Sequence, residues 1–128
     1  MTENEKDLIL KDLSGRLPYG VKGKVLSRDC NNRECEFGAI INGKLYDRFA
    51  VAQELWFDNV IIKPYLFPLS SMTEEQKEEH KDLLDNQYSF DANGSIFTLQ
   101  DFYNKYHFDY RGLIPMGLAN DATILNIY

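Results

Sequence analysis

Two prolines four residues apart, Pro64 and Pro68, most constrain what this chain can fold into. They lie in Val60-Ile-Ile-Lys-Pro-Tyr-Leu-Phe-Pro-Leu-Ser-Ser-Met-Thr-Glu-Glu-Gln76, where an apolar run ends and a charged segment begins. Proline fixes φ and lacks an N–H, so neither is expected in the middle of a hydrogen-bonded ladder. Tyr65-Leu66-Phe67 between them reads as an extended strap whose large side chains pack across a sheet. The chain before the strap reads as β-rich, and the chain after it as helices and loops.

Ahead of the strap, Thr2 and Glu5 have the spacing of a capping box, and Ile9, Leu10, Leu13 and Leu17 come next at helical intervals. Gly15 and Pro18 punctuate the end, so a helix within residues 1–17 is expected to stop near Ser14 and cover the sheet. Val21 to Ser27 reads as a strand with Lys22 and Lys24 facing solvent, and 28–34 as a polar loop. Cys35–Ile41 and Lys44–Val51 flank Asn42-Gly43, the favoured pair for a type I′ turn because both positions need φ > 0. That register sets Ile40 against Leu45 and Ala39 against Tyr46. Gln53–Phe57 reads as a turn and Asn59–Lys63 as a last short strand. No crossover helix separates these strands, so the sheet is expected to be antiparallel.

Beyond the strap, Ser71 and Thr73 each precede Glu74 or Gln76 by three residues, a doubled start signal for a helix over 73–85. Only Met72, Leu83 and Leu84 anchor it, so most of its circumference is expected in water. A polar turn at 91–94 leads to Ile96-Phe97. Thr98 and Asp101 cap a third helix whose stripe is Leu99, Phe102, Tyr103 and Tyr106. The predicted class is α+β in one domain, 1–128. It comprises an N-terminal helix (1–17), a small curled antiparallel sheet or SH3-like barrel (18–66), and a helical and irregular part (67–128) with two helices.

The 128 residues carry a net charge of −6, which disfavours binding to polyanions. The charge is uneven: residues 13–63 hold eight basic and six acidic side chains, and 73–85 hold six acidic and two basic. No apolar run approaches a membrane span. No basic segment leading into an apolar one opens the chain, so a cytoplasmic protein with no membrane partner is expected.

Four residues separate Cys30 from Cys35, and His80 and His107 are 27 positions apart. A structural zinc site wants a second closely spaced pair, so no metal or other cofactor is expected and the thiols read as reduced. In an extended segment His107, Asp109 and Arg111 fall on one side, and Tyr106, Phe108 and Tyr110 on the other. With Tyr110, those three are the candidates for ligand or partner contact, Arg111 offering a bidentate fork. A general-base role for His107 oriented by Asp109 would make a hydrolase, but no nucleophile is recognisable beside them. Set against both, Asp109 and Arg111 serve to tie the terminal segment to the body. Arg16, Tyr19, Lys22, Lys24 and Arg28, joined by Arg33, are the only basic cluster and the candidates for nucleic-acid contact.

Three blocks carry a likeness. Leu17-Pro-Tyr-Gly-Val-Lys22, Ile62-Lys-Pro-Tyr-Leu66 through Ser70-Ser-Met-Thr-Glu-Glu75, and His107-Phe-Asp-Tyr-Arg-Gly-Leu-Ile-Pro-Met-Gly-Leu-Ala119 resemble a family of small uncharacterised proteins from gut Bacteroidetes genomes, their prophages and mobile elements. The resemblance implies a cytoplasmic, phage-associated accessory protein and implies no catalytic residues. The tail 120–128 is more apolar than that family's endings, and is expected to add a strand or to seek a partner. The expected function is therefore a non-catalytic binding protein acting through protein contacts. A nucleic-acid-binding module is the alternative, and the hydrolase is a weaker one.

Overall fold

The computed structural model describes residues 2–27, 33–48, 54–55 and 60–128. Helix α1 (Glu3–Arg16) starts at the Thr2/Glu5 capping box and continues two residues past Ser14, the expected stop. Gly15 stays inside it because the chain around Asn104 approaches there. A Cβ at Gly15 would lie 2.7 Å from the Asn104 side chain. A 3₁₀ turn comes next at Leu17–Tyr19, with Pro18 near its start and left-handed Gly20 at its end.

Strands β1 (Lys22–Ser27), β2 (Arg33–Ile41), β3 (Lys44–Asp47), β4 (Glu54–Leu55), β5 (Val60–Leu66) and β8 (Asn120–Asp121) form one sheet in the order β4-β3-β2-β1-β5-β8. The β2–β3 hairpin has the register that Asn42-Gly43 dictates, Ile40 opposite Leu45 and Ala39 opposite Tyr46. Its pairing shifts between Phe37 and Ala39, a bulge at Gly38 where the Arg48 backbone comes close. Glu54–Leu55, expected in a turn, pairs with β3. The rest of that turn, the loop 28–32 and the strand end beyond Arg48 lie outside the described residues.

Two expectations need correction. Pro64 sits inside β5, opposite Gly23 of β1. On the other side of β5, β8 pairs only with Tyr65 and Leu66, so Pro64 stands where β5 is an edge and a missing N–H is tolerated. The strap is thus largely a strand: only Phe67 lies beyond it, bridged in parallel to Phe108. The sheet is antiparallel from β4 through β5, but β5–β8 is parallel, because the chain returns through the helical segment 67–119 before pairing. Among the described residues β4 and β8 end the order unpaired with each other, as in an open sheet.

Alternation along β1 buries Val21, Gly23 and Val25. Gly23 leaves room for the Phe37 ring, which a Cβ would meet at 2.5 Å. Ile9 and Leu13 of α1 cover this face with Leu45, Ile62, Leu66, Leu113 and Leu118. Segment 67–128 therefore supplies a strand and core residues to the sheet as well as helices.

Helix α2 (Glu74–Asn86) starts at a Thr73/Gln76 capping box and buries only Leu83. A hairpin, β6 (Tyr88–Phe90) and β7 (Ile96–Thr98), is built around the Asp91–Gly94 turn. Helix α3 (Leu99–Lys105) starts at a Thr98/Asp101 capping box. Leu83, Phe102 and Phe108 form a second core, flanked by Phe67, Met72, Phe97, Leu99, Tyr103 and Tyr106.

Candidate functional site

The residue that joins the two cores is one expected on the surface. Arg16 is fully buried. Its guanidinium donates to both oxygens of Asp12, at 2.8 and 3.2 Å, to the Phe108 carbonyl at 2.6 Å and to the Tyr103 carbonyl at 3.3 Å. Arg111 donates to the same carboxylate at 3.1 Å. Planar, multidentate donors of this kind suit a cation that must be buried and satisfied at once. Arg16 caps the carbonyl end of α3 from α1 and is not available to nucleic acid. The signal was present: Ile9, Asp12, Leu13 and Arg16 share one helical face at i, i+3, i+4 and i+7.

Of the rest of the basic cluster, Lys22 and Lys24 keep to one face of β1. Lys22 donates to the Ile127 carbonyl at 3.0 Å, and Arg33 pairs with Asp47 at 3.3 Å. Lys24, half-buried, stands beside Glu34 and Lys63 in the ladder. Tyr19 is exposed, and Arg28 lies outside the described residues.

His107, Asp109 and Arg111 do not converge. His107 takes a left-handed conformation, φ +59°, at the end of α3. That turn breaks the extended alternation on which their grouping rested. Both oxygens of Asp109 accept backbone N–H groups, from Leu113 at 2.8 Å and Ile114 at 2.9 Å, so Asp109 organises the next turn and does not orient His107. Arg111 binds Asp12 and the Tyr110 hydroxyl, and Tyr110 stacks on Tyr103 at 5.1 Å.

His107 instead faces Tyr128. The rings stack at 4.0 Å with 16° between planes. Burial, then the charge of Arg16, pushes the imidazole down to about 4, against a hydrogen bond to the Tyr19 backbone that favours the charged form. At neutral pH the ring is uncharged, and its buried Nδ1 has no hydrogen-bond partner among the described residues. A cavity of about 370 Å³ opens beside the pair, lined by Phe67, Ser71, Gln76, Lys105, His107 and Tyr128 among others. Nothing in the sequence announces this pairing, because its partners lie 21 residues apart across an irregular segment.

A second surface stands out on the β6–β7 hairpin. Pairing of Tyr88 with Thr98, Ser89 with Phe97 and Phe90 with Ile96 puts Tyr88, Phe90 and Ile96 on one face. Phe97, on the other, packs on the second core. The outer face is exposed, Tyr88 at 51%, Phe90 at 65% and Ile96 at 63%, and Tyr88 and Phe90 meet edge to face at 5.7 Å. Leu84 of α2 is exposed as well.

Burial raises the Cys35 thiol to about 11, which leaves it protonated and a weak ligand at neutral pH. Cys30 lies outside the described residues. Among the described residues no group of three His, Cys, Asp or Glu side chains is placed to hold a metal, and no helix is long and apolar enough to cross a membrane. No family model, curated protein or solved structure matches the chain.

Proposed function

We propose that this chain is a small non-catalytic accessory protein that acts through protein contacts, and that the outer face of the β6–β7 hairpin is its contact surface. The observation that carries the reading is the row Tyr88, Phe90 and Ile96, three large apolar side chains more than half exposed on one face of a two-stranded ribbon. Contiguous exposed apolar surface of this kind marks interaction sites, whereas single exposed apolar residues are ordinary. Aromatic side chains in such a patch supply most of the contact energy in protein interfaces. Helix α2 beside it carries Glu74, Glu75, Glu78, Glu79, Asp82 and Asp85 against Lys77 and Lys81. The surface that complements it is an apolar patch bordered by lysine or arginine.

The experiment compares partners captured from the native host by the wild type, by Phe90→Asp with Ile96→Asp, and by Lys22→Glu with Lys24→Glu. The reading expects a defined protein partner that the hairpin double variant loses and the lysine double variant keeps. A ligand kept by the hairpin variant but lost with the lysines, its affinity for DNA or RNA falling steeply with salt, would transfer the function to β1.

A further inference from the structure

Tyr128 is held by the rest of the chain as a ligand is held. Its hydroxyl accepts from the Lys22 backbone N–H at 2.7 Å and donates to the Tyr65 carbonyl at 2.9 Å, with the Lys22 carbonyl at 3.3 Å. Donor and acceptor capacities of the phenol are both used. One ring face lies on uncharged His107, and Phe67 tilts against the ring at 5.8 Å. Lys22 reaches over the ring with its ammonium 5.8 Å from the centroid. Enclosure of the hydroxyl raises its pKa, which keeps it a donor, even though the residue as a whole is 40% exposed.

The segment leading to Tyr128 is held quite differently. Ala122 is buried behind β8, and Tyr128 is pinned, but Thr123, Ile124, Leu125 and Asn126 between them are exposed. Ile124 is 91% exposed, and Asn126 takes a left-handed φ of +50°. Two aliphatic side chains face water and a β-carbon-bearing residue is in a conformation that favours glycine, so this arch gains little from its own contacts. The attachment rests on the tyrosine, helped by the bond from the Lys22 ammonium to the Ile127 carbonyl at 3.0 Å. Beside the ring the cavity continues towards Ser71, Gln76 and Lys105, leaving room for further chain.

From this geometry we propose that the slot formed by His107, Phe67, Tyr65 and Lys22 is a receptor for a tyrosine side chain of a partner polypeptide, closed in cis by Tyr128. The chemistry of the occupant is read from Tyr128 itself. A phenylalanine would fill the ring site but leave the Lys22 N–H without its acceptor, so the slot discriminates by the hydroxyl. Tethering gives Tyr128 an effective concentration of order mM, so the slot opens only to a partner that exceeds this or that engages the arch as well. Release also frees Ile124 and Leu125 for the partner to cover.

The test uses the full chain carrying Tyr128→Ala, and as probe the peptide Ala-Thr-Ile-Leu-Asn-Ile-Tyr, the sequence of residues 122–128. Binding is monitored by the ring-proton resonances of His107, which stacking moves upfield. Saturable binding is expected, about tenfold weaker for the same peptide ending in phenylalanine. The wild type, its slot filled, is expected to bind at least tenfold more weakly than the variant. Tyr128→Phe leaves the slot intact and keeps the ring but loses the hydroxyl's bonds to Lys22 and Tyr65, so it is expected to fall between the two; it carries the comparison if Tyr128→Ala does not fold. A folded variant that binds both peptides equally, or neither, or no better than the wild type, overturns the proposal. The hairpin reading is independent: Phe90→Asp leaves every arm of this experiment unchanged.

Discussion

The two halves of the molecule are held together in different ways. Around the sheet, eleven of the described apolar residues, from α1, the strands and the returning tail, are buried in one cluster. In the limb formed by α2, the β6–β7 hairpin and α3, the buried cluster is Leu83, Phe102 and Phe108, and half-exposed rings surround it. The sheet side is stabilised by displaced water spread over many side chains. The limb depends on a few ring contacts, such as Phe102 on Phe108 at 5.7 Å and on Tyr106 at 5.1 Å, and on its attachment to the body. An element with so small a core can leave its outer face apolar without losing what holds it. The same economy makes its attachment points decisive.

Arg16 is the most consequential of these. Arg16→Ala removes donors from the Phe108 and Tyr103 carbonyls and leaves the Asp12 carboxylate buried with Arg111 as its remaining cation. Breaking a buried pair by deleting one partner costs about 3–5 kcal/mol. Urea unfolding should show that loss, and hydrogen exchange should show α3 amides losing more protection than those of β2. Asp12→Leu combined with Arg16→Met should recover part of the stability, since no buried carboxylate is then stranded and Arg111 keeps the Tyr110 hydroxyl. A loss below about 1 kcal/mol, spread evenly over both halves, would mean that the limb does not hang on this contact.

The second attachment depends on pH. His107 titrates near 4 in the folded chain, against an ordinary value near 6.5. Its folded value is depressed, so between these limits the unfolded chain binds more protons, and stability must rise with pH. The contribution is complete above about 6.5 and is lost as pH falls towards 4, a change on the order of 3 kcal/mol at 1.36 kcal/mol per unit. Unfolding free energies measured from pH 7 to 4, with His107 observed by NMR, check both sign and window. Tyr128→Ala, which uncovers one face of the imidazole, should narrow the window by raising the folded value. If His107 titrates near 6.5 in the wild type, it is not buried as described and the stacked pair does not persist in solution.

The features legible in the sequence share one property, that their causes are local. Asn42-Gly43 fixes the β2–β3 register through backbone preference, and Thr2/Glu5, Thr73/Gln76 and Thr98/Asp101 place three helix starts through bonds spanning three residues. The β6–β7 hairpin was within reach too. Phe90 and Ile96 flank a turn containing Asn93-Gly94, but the run Asp91–Ser95 reads first as polar loop. The hidden features are those settled by tertiary contact. The parallel β5–β8 pairing closes a loop of more than fifty residues between Leu66 and Asn120, and no periodicity encodes it. A basic side chain such as Arg16 is buried only when enough acceptors converge on it. Two of its acceptors, the Tyr103 and Phe108 carbonyls, lie 87 and 92 residues away in the chain, out of reach of any local pattern. The grouping of His107, Asp109 and Arg111 failed on a single backbone angle, the positive φ of His107.

The smallest expected effect tests the comparison most finely. If nothing covers the outer face of the hairpin, then Phe90→Asp removes little beyond its edge-to-face contact with Tyr88, and stability should stay within about 1 kcal/mol of wild type. Phe97, one position along the partner strand and on the opposite face, contacts the second core, and Lys105 lies 5.6 Å over its ring. Phe97→Asp strips that packing from the edge of the core and should cost several times more. Urea midpoints of the two variants at equal protein concentration give the contrast directly. Equal losses would show the ribbon packed on both faces, and a Phe90→Asp loss that grows with protein concentration would show a second copy of the chain covering it. Only the unequal result leaves Tyr88, Phe90 and Ile96 free for another protein, because side chains that add little to the fold are the ones whose burial a partner can gain.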